Sequence, residues 1–190
     1  NAANVDLAHT DKEFSPRAGL IYQPNAYSSY YASYSYAFIP SGETLSLSTS
    51  NAELEPEKAE NWEIGGKWEI NPRLSATAAV FRLDRSNVKS KDPVDPTKLV
   101  LSGLQRTEGV EVEVSGNPTA RWHMAGGYAW QDGRLTTTQS ATARTGATLA
   151  MLPTHSFSLW NKVDLTQRLA VGLGIVRRGD SFTSVDNTVV

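Results

Sequence analysis

The chain has 190 residues, a formal net charge of −2 and 39% hydrophobic residues, and it contains no cysteine. Disulfide frames and thiolate chemistry are therefore excluded, and no basic footprint for nucleic acid is present. The longest wholly apolar runs are only a few residues, as at Ala78-Ala79-Val80-Phe81, so no stretch reaches the roughly 20 apolar residues of a membrane helix. A transmembrane β-strand needs only about ten residues with every second one apolar, which fits the slightly negative mean hydropathy.

Asn1 to Asp6 has no basic start and no apolar core, so it does not read as a signal peptide. From there a period of two runs through the chain. Phe14 to Gln23 sets Phe14, Ala18, Leu20 and Tyr22 against Ser15, Arg17 and Gln23. Ser29 to Phe38 sets Tyr30, Ala32, Tyr34, Tyr36 and Phe38 against Ser29, Ser33 and Ser35. Glu60 to Ile70 is the cleanest case, with Trp62, Ile64, Gly66, Trp68 and Ile70 on one face and Glu63, Lys67 and Glu69 on the other. A helix would bring Trp62 and Lys67 nearly together, whereas a strand separates them. Leu74 to Arg85 keeps Leu74, Ala76, Ala78 and Val80 in phase but puts Phe81 and Leu83 on the opposite face. Gln105 to Ser115 sets Val110, Val112 and Val114 against Thr107, Glu111 and Glu113. Trp122 to Gln131 sets Trp122, Met124, Tyr128 and Trp130 against His123, Gly127 and Gln131. His155 to Val163 has Phe157 and Leu159 together with Trp160 out of phase, and Leu169 to Arg177 sets Leu169, Val171, Leu173 and Ile175 against Ala170, Gly172 and Gly174. A bulge, or exit from the bilayer, is the expected cause of the two faults.

Connections alternate in length. Pro24 to Ala26, Asn71 to Arg73, Asn117 to Thr119 and Asp164 to Gln167 are tight turns, while Pro40 to Lys58, Ser86 to Gly103, Asp132 to Pro153 and Gly179 onward are long and polar. The turns recur about every 47 residues, a pseudo-repeat of strand, long loop, strand and short turn. The expected fold is all-β, an antiparallel meander of about eight long strands that forms part of a transmembrane β-barrel. A soluble β-sandwich also alternates. Two features count against it: strands of about 9 to 12 residues exceed the usual 5 to 6, and Glu63, Lys67, Glu69, Glu111 and Glu113 are costly to bury in a sandwich core. Tyr22, Trp62, Trp68, Trp122 and Trp130 near strand ends suit membrane interfaces. The Trp62 face is therefore assigned to outer-membrane lipid and the Glu63 face to the lumen.

Several segments, taken in order, resemble the C-terminal half of a TonB-dependent outer-membrane siderophore receptor of the ferric-catecholate type. They are Phe14-Ser15-Pro16-Arg17-Ala18-Gly19-Leu20, and Tyr31 to Ser35 followed by Phe38 and Pro40-Ser41-Gly42. Leu54 to Gly65 follows, matching an LxPExxxxxExG stretch, then Gln105 to Glu113 and Leu152 to Trp160. The resemblance implies a 22-stranded barrel in the bacterial outer membrane, filled by an N-terminal plug, that imports ferric siderophores and is energised through TonB. On that basis residues 1–190 form a partial barrel domain from which the plug domain and the terminal strands are absent, and an internal fragment of this kind cannot transport alone. Its partners would be the ferric siderophore, carried as cargo rather than held as a cofactor, its own plug, TonB through a further N-terminal segment, and outer-membrane lipid. A closed eight-stranded barrel is possible in principle. A structural, adhesive or porin-like barrel without energy coupling is the competing class, distinguished by whether a plug and coupling segment lie upstream.

No enzyme constellation is recognised: there is no G-x-S-x-G, P-loop, H-E-x-x-H or dinucleotide fingerprint. His9, His123 and His155 lack zinc-ligand spacing, so no metal site is expected. The acidic run Glu53, Glu55, Glu57 and Glu60 reads as a solvated loop, and Arg177-Arg178 as interface anchors at a strand end or as partners for an anionic ligand. Ferric catecholates are anionic and aromatic, so arginine would meet the charge and glutamine would hydrogen-bond. Alternation points Gln105 and Gln131 into the lumen on the long-loop side, and Arg178 as well if it continues past Arg177. Arg85 is added across the fault in its strand. These four are the candidate ligand-binding residues.

Overall fold

Four short turns fix the strand pairing, and each is closed by a side chain bonding to the backbone just ahead of it. Asn25 Oδ1 accepts from the Tyr27 amide at 2.8 Å, and Asn71 Oδ1 from the Arg73 amide at 2.8 Å. Thr119 Oγ1 accepts from the Trp122 amide at 3.1 Å, and Thr166 Oγ1 from the Leu169 amide at 3.0 Å. Asn and Thr suit these places because their short polar side chains imitate a turn of backbone.

The computed structural model describes residues 10, 12–40, 55–91, 99–101, 103–138, 144–184 and 187–188. The turns join β1 (Arg17–Asn25) to β2 (Ser28–Ile39), β3 (Glu57–Asn71) to β4 (Leu74–Ser86), β7 (Leu104–Gly116) to β8 (Trp122–Thr137), and β9 (His155–Asp164) to β10 (Ala170–Arg178). These eight strands make one sheet in the order β1-β2-β3-β4-β7-β8-β9-β10, with every neighbouring pair antiparallel. A small hairpin of β5 (Lys89–Lys91) and β6 (Leu99–Leu101) interrupts the β4–β7 connection. Among the described residues no ladder joins β1 to β10, so the closed eight-stranded barrel is not formed. Hydrocarbon cannot satisfy the backbone groups along two such edges.

The two faces separate as alternation predicts. One ladder row runs Tyr31, Gly65, Ala79, Glu111, Ala129, Ser156, Arg178, and the next runs Ala32, Ile64, Val80, Val110, Trp130. A cavity of about 580 Å³ touches both Tyr31 on β2 and Arg178 on β10. Only the hollow of a curled sheet can be bounded by strands so far apart, so the Tyr31 row faces inward. The outward row is bare: Ile64 is 63% exposed, and Leu173 on the same face 76%. Among the described residues the buried apolar core is only Leu135, Ala147 and Leu149, with Leu152 packed against it. A sandwich would cover Ile64 and Leu173 with a second sheet, but the described residues contain no second layer. Lipid is the solvent that suits this face.

Trp62 and Trp68 lie roughly 20 Å apart along β3, and Trp122 and Trp130 about 26 Å apart along β8, close to the apolar band of about 25 Å in such barrels. Tyr34 packs on Trp62 with ring centroids 4.5 Å apart, and Tyr30 meets Trp68 edge-on at 6.0 Å. The indole N–H of Trp68 donates to the Tyr30 hydroxyl at 3.3 Å, and that of Trp122 to Asn161 Oδ1 at 2.9 Å. These rings hold polar partners at the edges of the band.

Some boundaries differ from the expectation. β1 begins at Arg17, leaving Phe14 in irregular chain, and β8 continues six residues past Gln131 to Thr137. No bulge lies at either parity fault: β4 stays in register with β7 from Leu74 to Arg85, and β9 with β10 throughout. Phe81, Leu83 and Trp160 face inward in regular strand. Of the long loops, residues 41–54, 92–98 and 139–143 lie outside the described residues, Glu53 and Leu54 among them, as do His9 and residues 189–190.

Candidate functional site

The lumenal mouth starts from an ion pair. Arg85 Nε donates to Glu57 Oε1 at 2.8 Å, and its Nη2 meets the same oxygen. Glu57 is buried at 9% exposure, so this pairing satisfies a carboxylate that would otherwise be costly. Asn87 Nδ2 donates to Glu55 Oε2 at 2.9 Å and to the Pro56 carbonyl at 3.2 Å. The described part of the acidic run is therefore organised rather than simply solvated. Gln105 stands directly opposite Arg85 on β7, on the same inward face.

Gln131 lies further down the wall on β8. Its Nε2 donates to the Pro153 carbonyl at 3.2 Å, and its backbone amide to the Thr154 carbonyl at 3.0 Å. It thus ties the β8–β9 loop to the wall. Above it the loop folds back along β8, where the Leu135 amide donates to the Ala147 carbonyl and the Leu149 amide to the Gly133 carbonyl, each at 2.9 Å. The segment after β10 clasps the same loop. Thr148 donates its amide to Asn187 Oδ1 at 2.8 Å and accepts from Asn187 Nδ2 at 2.9 Å.

Below the mouth, Arg178 borders the 580 Å³ cavity with Tyr31, Glu63, Lys67 and Glu111. The Tyr31 hydroxyl donates to Glu63 at 2.5 Å, and Lys67 pairs with Glu69 at 3.0 Å. Arg178 is exposed and makes no ion pair among the described residues. All four candidate residues therefore lie on the inward face toward the loop side. Arg85 and Gln105 are neighbours. Gln131 and Arg178 sit lower, Arg178 aligned through Ser156 with Ala129, two residues from Gln131.

Three inward aromatics escaped the alternation argument as features of the wall. Tyr31 lies against Gly65, Phe81 against Gly109, and Trp160 across Gly172 and Gly174. The signal for them was present as glycines on the strand next to each ring. At the turn side, hydrogen bonds from Lys162 at 2.9 Å and His123 at 2.7 Å hold the Asp164 carboxyl below the usual carboxylate range. His155 instead meets the Tyr128 hydroxyl at 2.8 Å on the outward face. Among the described residues no cluster of His, Asp and Glu could hold a metal ion.

A family model described as "TonB dependent receptor-like, beta-barrel" matches residues 1–189. The chain belongs to this family of TonB-dependent receptor barrels. Family membership places it in the bacterial outer membrane, and the family is one of transport receptors. A probable TonB-dependent receptor of Bordetella pertussis, BfrD, is 35% identical over 185 residues, 94% of this chain and 25% of that protein. The catecholate siderophore receptor Fiu of Escherichia coli is 30% identical, over 97% of this chain and 25% of that protein. The crystal structure of the siderophore receptor PiuA of Acinetobacter baumannii superposes with a TM-score of 0.79 at 27% identity, over 91% of this chain and 27% of that one. The chain spans about a quarter of the length of the curated relatives it matches.

Proposed function

We propose that this chain is a wall segment of an outer-membrane receptor that imports ferric siderophores with energy drawn through TonB. The observation that carries the reading is Arg178, an exposed guanidinium without an ion pair among the described residues, set in the lumenal hollow. A ferric catecholate is anionic and rich in oxygen acceptors, and a guanidinium meets such a ligand with two parallel N–H bonds. Gln105 adds a neutral hydrogen-bonding amide. Arg85 and Gln131 take part through the N–H groups left over from Glu57 and Pro153, and their bonds to those partners pre-set the mouth. Relatives named as siderophore receptors support the cargo class. The plug that such receptors carry would fill the rest of the hollow, against Glu63, Lys67 and Glu111.

The test uses the full-length receptor. A strain with this receptor as its sole route for catecholate iron is expected to take up radiolabelled ferric catecholate only when TonB is present. Arg178→Ala is expected to weaken binding to the purified receptor about tenfold. Uptake that continues without TonB would instead identify a passive porin-like barrel.

A further inference from the structure

Trp160 is a large apolar ring on the inward face of β9, opposite Ala125 on β8 and Gly174 on β10. Its indole lies across Gly172 and Gly174, where a Cβ would meet the ring at 2.9 and 2.6 Å. One side of the ring therefore rests on the β10 backbone, and the two glycines set its direction. The ring is still 53% exposed, because the small inward residues Ala125 and Ser158 beside it do not cover it.

The charges of the inward face are unevenly spread. Below the mouth, β3 and β7 carry Glu63, Glu69, Glu111 and Glu113 against Lys67 alone. Among the described residues the inward face of β8, β9 and β10 has a single carboxylate, Asp164 at the turn end. It is bonded to His123 at 2.7 Å and to Lys162 at 2.9 Å. Arg178 stands toward the opposite end of this sector. Below Arg178 the 580 Å³ hollow continues into a cavity of about 270 Å³ that borders Trp160. The two share Gly127, Ser158 and Val176, with Glu113 at the edge of the acidic sector.

We propose that Trp160 is a stacking subsite for the catecholate rings of the cargo in transit, and that the passage runs along β8 to β10 rather than along β3 to β7. This rests on the reading of the chain as part of a siderophore importer. A ferric catecholate presents flat aromatic rings and several negative charges. An indole already laid on glycine backbone offers its free face without further ordering. The carboxylates of β3 and β7 repel such a ligand, while the β8–β10 sector does not. Arg178 is level with Ser156, and Trp160 follows four residues along β9, roughly 14 Å nearer the turns. A ligand released by the guanidinium meets the indole next. The plug, set against Glu63, Lys67 and Glu111, leaves this sector to the cargo.

The full-length receptor, in cells that depend on it for catecholate iron, separates binding from passage. With radiolabelled ferric catecholate, Trp160→Ala is expected to lower the maximal uptake rate per receptor about threefold to tenfold. The affinity of the purified receptor should stay at the parent value, and Trp160→Phe should restore most of the rate. The charge argument has its own pair of variants. Ser158 and Thr77 stand at one level of the wall, joined through Gly127 and Glu113. Ser158→Glu is expected to slow uptake about tenfold and Thr77→Glu by less than about twofold. Parent-rate uptake in Trp160→Ala, or equal slowing by the two glutamates, would overturn the proposal. So would slower uptake accompanied by entry of vancomycin, which would assign the ring to seating the plug. A parent receptor without TonB-dependent uptake would instead remove the import reading, and this subsite with it.

Discussion

Phe81 on β4 faces Gly109 on β7, and its ring occupies the space that a side chain at position 109 would need. A Cβ built there lies 2.6 Å from the ring and 2.7 Å from the Trp130 carbonyl oxygen. The ring could rotate away, but the carbonyl belongs to the β7–β8 ladder and cannot. Gly109→Val is therefore expected to destabilise the full-length receptor by about 1–3 kcal/mol. The readout is the heat-unfolding midpoint of the detergent-solubilised barrel. Gly109→Val/Phe81→Ala should recover only part of the loss, since the backbone contact remains, and full recovery would refute the role given to Trp130.

That contact also shows where the sequence could be read and where it could not. The eight long strands, their order and their inward and outward faces were legible, because a single-layer wall between lipid and a wet lumen imposes period two with little tertiary override. Phe81 and Trp160 looked like faults because alternation treats the lumenal face as uniformly polar. Their places depend on Gly109, Gly172 and Gly174 on neighbouring strands, and ladder register is not visible in one sequence. The inward direction of Gln105 and Gln131 followed from parity, that of Arg178 from its continuation past Arg177, and Arg85 was added across the fault in its strand. Their partners followed from none of this, because Glu57 and Pro153 reach them from chain far away or from a loop with no period.

Arg85 and Glu57 form a second testable pair. Removing Arg85 leaves the buried Glu57 carboxylate without its guanidinium, which costs more than the half-exposed pair contributes. Arg85→Ala is expected to lower stability by about 1–2 kcal/mol, and Arg85→Ala/Glu57→Ala to lie nearer the parent than the single variant. A double-mutant cycle on the unfolding midpoint measures this coupling. Additive effects would show that the two side chains do not act as a unit.

Asp84, opposite Glu60 and one outward row past Trp62 toward the loop side, gives a pH dependence. Asp84 stands beyond the apolar band. Burial raises its carboxyl pKa, but hydrogen bonds from Arg106 and Arg82 outweigh that and hold it below the ordinary value. A carboxyl depressed in the folded state adds stability at pH values above its unfolded pKa of about 3.9. That contribution fades as pH falls through the lower folded value. The stability difference between parent and Asp84→Asn should thus be constant from about pH 8 to pH 5 and shrink below about pH 4. A difference that grows on acidification would contradict the sign.

Asn187 and Thr148 make the last prediction, concerning the clasp between the β8–β9 loop and the segment after β10. Asn187 has φ +58°, in the left-handed region that Asn tolerates, and its amide bonds both the N–H and the C=O of Thr148. Two causes of instability can therefore be separated. Asn187→Gly keeps the backbone free to adopt this φ but removes both bonds, while Asn187→Ala removes the bonds and adds strain. Hydrogen exchange at the Thr148 amide is expected to speed up about fivefold to tenfold in the glycine variant, the equivalent of one lost hydrogen bond near 1 kcal/mol. The alanine variant should exchange faster still. If the glycine variant exchanged at the parent rate, the clasp would rest on the Met151 amide bond to the Phe182 carbonyl at 2.8 Å and not on Asn187.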